Sequence, residues 1–477
     1  MQPTLTRREL LRFLGLGSLG LVVAACQPQV VKETVVVEKT VIVEKEKEKV
    51  VEKVITQAAP KAPVIIRFSV WGDTGDRSSA GRIQDMFNEA NPNIKAIGEQ
   101  YPGGYYEKII ANIAGGNSAD VLYFQPWTWQ AYADQGVLVA IDDLIARDNW
   151  TKPFVTGIQI YENYCKWQGK TYETPTDAGA DPIYYNKDLF DKRGVPYPKD
   201  DWKLDDLKQT IEKMTFEEGG VKYYGWALAN NWNGIWGRFQ NLWRTNGVME
   251  FDAIVEPKKV FWNDPVIAEA MQFFVTDVVA NGWCPSPSAI AGGGISVSSG
   301  RVAMCIEGPW TLPSMYGALA TNKGGINFDV VMQPTGTAGF VDAENSLSGL
   351  VVSNQTKNRD AGWEYIKFVT TEPAQTVIAT FGRMCNTPEF QTKVWAPIVQ
   401  KAYNFKNTDA FIKTQNDPKA HGFMVGGKGG DMNAFYDAGA WPAWDELIAG
   451  KRPAKEILND FNTLQQKWLD GYWASRK

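Results

Sequence analysis

From residue 65 onward, apolar positions fall into two alternating rhythms. Ile65 to Trp71 is a β-branched and aromatic run that reads as a strand. Ile83, Met86, Phe87 and Ala90 then recur at i, i+3, i+4 and i+7, the stripe of an amphipathic helix stopped by Asn91-Pro92. Ile94 to Gln100 predicts a second strand, and Tyr106, Ile109, Ile110 and Ile113 a second helix. Gly115-Gly116 and Asp120 introduce a short buried strand, Val121 to Phe124. That order predicts a parallel sheet covered on both faces. Further strands are expected at Ile183 to Tyr185, Tyr223 to Ala229, Val302 to Glu307, Phe328 to Met332 and Leu347 to Ser353. Helical stripes carry Leu204, Leu207, Ile211 and Met214, then Ile235, Phe239 and Leu242, then Ala270, Phe273 and Phe274. Two later ones carry Ala361, Tyr365 and Phe368, and Ile457, Phe461, Leu464 and Trp468. A chain of 477 residues is too long for one simple core, so two α/β lobes are expected.

The first sixty residues follow neither rhythm. Thr6-Arg7-Arg8-Glu9-Leu10-Leu11 leads into an apolar run from Phe13 to Ala25 that closes on Cys26. A basic start, a short apolar stretch and small residues before a cleavage point describe an export signal, and the run is too short for an ordinary bilayer span. The paired arginines resemble a twin-arginine signal. Val23-Ala24-Ala25-Cys26 resembles a bacterial lipoprotein box, which implies lipidation of Cys26 and an extracytoplasmic protein anchored to the cell membrane. Residues 26–63 are of low complexity, without aromatic or glycine, and their six glutamates nearly balance seven lysines. Such a segment cannot bury a core and reads as a stalk.

Composition narrows the chemistry. The whole chain has 49 basic and 54 acidic residues, and without signal and stalk 39 face 47. A nucleic-acid partner is not expected from that balance. One histidine excludes any mechanism or zinc site that needs two, and no C-x-x-C is present, so no metal or cofactor is expected. Cys165, Cys284, Cys305 and Cys385 permit three pairings, with Cys284–Cys305 the preferred one and free buried thiols the alternative. The 19 tryptophans all lie at or after Trp71.

Five segments, taken in order, resemble the extracellular solute-binding proteins of ABC importers, in the large carbohydrate-binding (maltose-binding-protein-like) family. They are Ser69-Val70-Trp71-Gly72-Asp73; Ser118-Ala119-Asp120-Val121-Leu122 with Gln135-Gly136-Val137-Leu138; Tyr184-Tyr185-Asn186-Lys187-Asp188-Leu189-Phe190; Gly300-Arg301-Val302-Ala303-Met304 with Glu307-Gly308-Pro309-Trp310; and Ser348-Gly349-Leu350-Val351-Val352 before Trp363-Glu364-Tyr365-Ile366. The resemblance covers most of residues 64–390. It implies a two-lobe periplasmic-binding-protein fold, α/β in class, with hinge-linked open sheets and an interlobe ligand cleft. Lobe 1 is expected at 64–174 plus 334–384 and lobe 2 at 175–333 plus 385–477, with crossings near Thr174-Pro175, Gln333-Pro334 and Met384-Asn386. The implied protein is a non-enzymatic monomer that binds a carbohydrate and delivers it to ABC permease subunits.

A sugar offers apolar C–H faces and a rim of hydroxyls, so its site calls for flat aromatic platforms and planar polar groups. Trp71, Phe124 and Trp127 follow strands, and Trp232 lies among the amides of Asn230-Asn231-Trp232-Asn233. Trp310 and Tyr185 occupy the stacking positions that the resemblance implies, and Tyr184, on the other face of the same strand, is not chosen. Asp73, Gln125, Asp177 and Glu307 are the candidate polar contacts, with helix caps or surface charges as the alternative. Arg383 reads as a ring donor or a hinge brace. Tyr436 and Asp437 follow a glycine-rich loop, 426–430, that fits a flap. Trp243, Trp363 and Trp468 are assigned to core. Two other readings stay open: a receptor for a polyamine or other cationic solute, held by aromatic and acidic groups, and an exported glycoside hydrolase.

Overall fold

The computed structural model describes residues 62–72, 78–101, 103–125, 128–152, 164–228, 235–290, 295, 299–313, 326–422 and 435–475. The signal, Cys26 and the stalk up to residue 61 lie outside them. Among the described residues, fourteen strands run in chain order: β1 (Val64–Trp71), β2 (Ile94–Tyr101), β3 (Val121–Phe124), β4 (Leu138–Val139), β5 (Lys166–Trp167), β6 (Lys170–Thr171), β7 (Thr174–Ala180), β8 (Ile183–Asn186), β9 (Phe216–Glu218), β10 (Val221–Ala227), β11 (Val302–Ile306), β12 (Phe328–Val331), β13 (Asn345–Ser353) and β14 (Met384–Cys385).

They build two main sheets. The first has the order β14-β7-β13-β3-β1-β2, with β4 also on β13, and the second β12-β8-β11-β10-β9. β1 pairs in parallel with β2 and with β3, as the strand-helix-strand rhythm predicts. Helices Ser79–Ala90 and Tyr105–Ala114 make the crossovers that parallel neighbours require. The later strands do not follow that rhythm. β13 runs antiparallel to β3, β4 and β7, and β14 antiparallel to β7, so the sheet is mixed. In the second sheet β10 and β11 are parallel, and the other described pairs are antiparallel.

β7 ends at Ala180 in the first sheet and β8 begins at Ile183 in the second, so the chain changes sheet at Asp181-Pro182. It returns between β12 and β13, where the Asp181 amide donates to the Glu344 carbonyl at 3.1 Å. The Tyr-Asn-Lys-Asp segment has a local cause: the Asn186 side chain accepts from the Asp188 and Leu189 amides and so starts helix Lys187–Arg193. Gly194, in the left-handed region, ends it.

Two apolar cores form, and the first sheet's Ala178, Leu347, Met384 and Cys385 join the core of the second. Phe68, Phe87, Val121, Trp363 and Ile366 pack on the first, while Trp226, Trp243, Phe274, Val302, Met304 and Ile306 belong to the second. Trp236 and Trp262 meet at 5.1 Å, and Trp236 stacks on Phe461 at 4.9 Å. Many of the tryptophans are therefore structural. Trp243 and Trp363 are fully buried, and Trp468 packs partly buried against the second core, as the helical stripes predict. No described helix is long and apolar enough to cross a membrane.

Candidate functional site

β7 reads Thr-Pro-Thr-Asp-Ala-Gly-Ala and is buried along its whole length between β14 and β13. Side chains alternate along a strand, so Asp177 and Gly179 share one face. Asp177 is neither a helix cap nor a surface charge. It is buried, and Arg383 Nη1 lies 3.4 Å from its Oδ2. Arg383 Nη2 also donates to the Tyr123 hydroxyl at 3.3 Å. Burial raises the Asp177 carboxyl above its usual range, and the Arg383 charge opposes that rise. Burial likewise pushes the Tyr123 phenol up to about 12.

These groups edge a pocket of about 510 Å³, open mouth included, whose walls include Trp71, Ile83, Tyr123, Leu350, Tyr365 and Arg383. Trp71 stacks on Tyr105 at 6.2 Å and meets Tyr106 edge-on at 5.9 Å. The Tyr106 hydroxyl donates to Gln125 Oε1 at 3.1 Å, so the half-buried Gln125 is held beside Trp71 through one ring. Trp71, Asp177 and Arg383 are thus brought together, with Gln125 next to them.

A second group forms where β11 ends. Glu307 follows the strand, and Pro309 starts a single turn of 3₁₀ helix, Pro309–Thr311, that carries Trp310. The Tyr184 hydroxyl and Thr311 Oγ1 both donate to the Gly308 carbonyl, at 2.9 and 2.7 Å, and fix that turn. Below it lies Arg238, 1 % exposed. Its Nη1 donates to Asp181 Oδ2 at 3.1 Å and lies 3.0 Å from Glu307 Oε2. Its guanidinium carbon is 5.1 Å from the centre of the half-buried Trp310 ring. Glu344 completes the group. Burial raises the carboxyls of Asp181, Glu307 and Glu344, and the charge of Arg238 opposes each rise. Glu344 stands well above its usual range, since the neighbouring Asp181 charge adds to burial there.

Other candidates lie elsewhere. Phe124 is fully buried, its ring 5.0 Å from Tyr132 and 5.9 Å from Tyr106, and it presents no surface to a solute. Tyr185 points to the face of β8 opposite Tyr184 and packs on Phe190 and Tyr197, away from Trp310. It is Tyr184, therefore, that reaches the Gly308-Trp310 turn. Asp73, Trp127 and Trp232 lie outside the described residues, as does the glycine-rich loop 426–430. The backbone of Tyr436 and Asp437 is helical, and their side chains are outside the description. The preferred Cys284–Cys305 bridge is not formed: all four described cysteines are free and buried. Cys284 Sγ instead donates to the Pro285 carbonyl at 3.4 Å. Among the described residues no group of three or more metal-ligating side chains occurs.

Arg238, Asp181, Glu344 and Tyr123 were not singled out by the sequence. Arg238 carries a readable signal, since it occupies i+3 on the stripe Ile235, Phe239 and Leu242, where a charge has to be paired once buried.

Two sheets joined by chain crossings, with aromatic and charged groups on the strands that meet there, define a two-lobe α/β binding protein. The chain matches the family described as bacterial extracellular solute-binding protein over residues 71–376, more than half its length, and belongs to that family. It is 22 % identical over 301 residues to a putative binding protein of Brucella abortus (strain 2308), covering 60 % of this chain and 67 % of that one. It is 25 % identical over 288 residues to the maltotriose-binding protein of Pyrococcus abyssi, covering 59 % and 57 %. Among solved structures it is similar to an ABC substrate-binding protein of Listeria monocytogenes in complex with cycloalternan, with TM-score 0.70, 21 % identity and coverage of 86 % and 99 %. The GacH receptor of Streptomyces glaucescens, solved unliganded and with acarbose, gives TM-score 0.69 at 18 % identity, covering 86 % and 99 %. These likenesses show the periplasmic-binding-protein fold, with hinge-linked sheets and a cleft between lobes.

Proposed function

We propose that this protein captures a carbohydrate, an oligosaccharide, in the cleft between its lobes and delivers it to an ABC permease for import, performing no bond chemistry. This reading rests above all on the half-buried Trp310 indole, held beside the partly open Glu307 carboxylate. An indole presents a flat apolar face to sugar C–H groups, and a carboxylate accepts strongly from hydroxyls in a desolvated cleft. Trp71, Gln125, Asp177 and Arg383 supply a matching set from the first sheet. Support also comes from relatives that bind maltotriose, cycloalternan and acarbose.

We take the lobes to be 64–174 with 334–384 and 175–333 with 385–477, but with all of β7 and β14 in the first, because both strands belong to the first sheet. Closure about the crossings brings the two sets together; such closure around a ligand is the general behaviour of periplasmic binding proteins. Lipidation at Cys26 would tether the domain through the stalk outside the cytoplasmic membrane. Cys26→Ala is expected to release it into the soluble fraction.

The acidic excess of Asp181, Glu307 and Glu344 over Arg238 favours a second reading, a cationic solute such as a polyamine. Calorimetric titration of the Cys26→Ala protein with glucose, maltose, maltotriose and spermidine separates the two. Saturable binding of an oligosaccharide, recovered uncleaved, is expected. Response to spermidine alone would replace carbohydrate with a cation, and cleaved sugar would make the protein an enzyme.

A further inference from the structure

We propose that Arg238 is the positioning residue of the cleft: one buried guanidinium fixes the Trp310 indole and the Glu307 carboxylate relative to each other. The inference rests on the reading that Trp310 and Glu307 meet the carbohydrate.

Of the groups around Arg238, Asp181 and Glu344 are buried, while Trp310 and Glu307 are partly open to solvent. Asp181 accepts from the guanidinium, Glu344 is hydrogen-bonded to Asp181, and the two open groups are what the guanidinium presents. A buried cation on an apolar helix stripe is costly unless it is paired, and an aliphatic side chain would fill the same space without that cost. What an aliphatic residue cannot do is touch a carboxylate and the face of an indole at once. The planar, delocalised guanidinium does both, and the compact ammonium of lysine does not.

The ring is constrained on other sides as well. A Cβ at Gly179 would lie 2.6 Å from Trp310 Cζ3, and one at Gly308 would lie 2.2 Å from Cη2, so backbone closes in on the indole at two points. Arg238, 5.1 Å from the ring centre, supplies the cation on its face. Glu307 is the carboxyl of this group that reaches solvent, at 16 % side-chain exposure, and so is the one placed to accept from a ligand hydroxyl.

The test uses the full chain carrying Cys26→Ala, labelled with 5-fluorotryptophan, and maltotriose as the probe ligand. Loss of one fluorine resonance in Trp310→Phe assigns Trp310. Without any ligand, Arg238→Gln and Arg238→Lys are expected to move the Trp310 resonance more than those of tryptophans remote from Arg238, such as Trp363. Maltotriose affinity should fall at least tenfold in Arg238→Gln and by a similar factor in Trp310→Ala, with the double variant little worse than either. A Trp310 resonance unmoved in both arginine variants would overturn the positioning role, whatever the ligand. The lysine variant, which keeps the charge opposite Asp181, serves if the glutamine variant does not fold. Unchanged affinity in Trp310→Ala, or no maltotriose binding at all, would count against the functional reading, and the ligand-free resonance still decides the role of Arg238.

Discussion

The Trp310 indole lies against the bare backbone of Gly179, close enough that a methyl group at 179 would stand 2.6 Å from Cζ3. A strand of the first sheet therefore carries a glycine where a tryptophan from the end of the second sheet's β11 rests. At that distance something must shift, and what a methyl group at 179 meets is the far end of the indole side chain rather than backbone. Gly179→Ala is expected to push the indole aside and weaken oligosaccharide binding at least tenfold. The urea midpoint should move little, since the displaced ring is half-buried and can turn toward solvent. Calorimetry and urea unfolding on the same preparation check both halves.

A second buried pair is structural. Arg244 and Glu250 are both fully buried; Arg244 Nε donates to Glu250 Oε2 at 3.0 Å, and the Trp243 indole donates to the same oxygen at 2.8 Å. Arg244 Nη1 also donates to the Gly422 carbonyl at 2.6 Å. Removing the carboxylate leaves the buried cation to be balanced by Asp342, 3.5 Å away. Glu250→Gln is expected to cost about 3–5 kcal/mol of stability, as for other broken buried pairs. Chemical denaturation at neutral pH measures the loss.

Glu173, just before β7, sets a pH dependence. Burial holds its carboxyl well above the usual carboxylate range. The folded protein thus keeps a proton that the unfolded chain releases near its ordinary value of about 4.3. A raised folded pKa contributes stability that is fully present below the unfolded value and is lost as pH rises toward the folded one. Glu173→Gln should therefore match the parent near pH 4 and exceed it at about pH 7 to 8. Equal pH slopes of the urea midpoint would contradict this.

The thiols give a simpler check. Cys165, Cys284, Cys305 and Cys385 are free and buried, and burial pushes the Cys284 thiol up to about 12. A thiolate is the reactive form, so native thiols should be inert. In the Cys26→Ala protein, a thiol reagent is expected to label no cysteine before unfolding and four after it. Two or fewer in the unfolded, unreduced protein would reveal a disulfide.

Strands with β-branched or aromatic residues were legible in the sequence. Val121–Phe124 appears where it was expected, and Ile65–Trp71, Phe328–Met332 and Leu347–Ser353 differ from the observed strands only at their ends. β7 was not legible, because its Pro, Asp, Gly and Ala residues carry neither period. It is held as a strand by β13 and β14, which are far away in the chain. Of the candidate residues, Trp71, Asp177 and Arg383 fall in one of the two groups described and Glu307 and Trp310 in the other. Choosing Tyr185 over Tyr184 depended on which face of β8 turns toward Gly308, and a two-residue alternation does not reveal that without the neighbouring strand. Phe124 follows the same lesson: the last residue of a short strand still points inward, against Tyr106 and Tyr132.

The role of Trp310 as a carbohydrate platform is open to one decisive titration. Intrinsic tryptophan fluorescence would be followed in the Cys26→Ala protein and in its Trp310→Ala variant, with mono- and oligosaccharides and with spermidine added in turn. A saturable change with one class of oligosaccharide is predicted, with the sugar recovered intact and binding at least tenfold weaker in the variant. Equal affinity in the two proteins, or a response to spermidine and to no sugar, would contradict it.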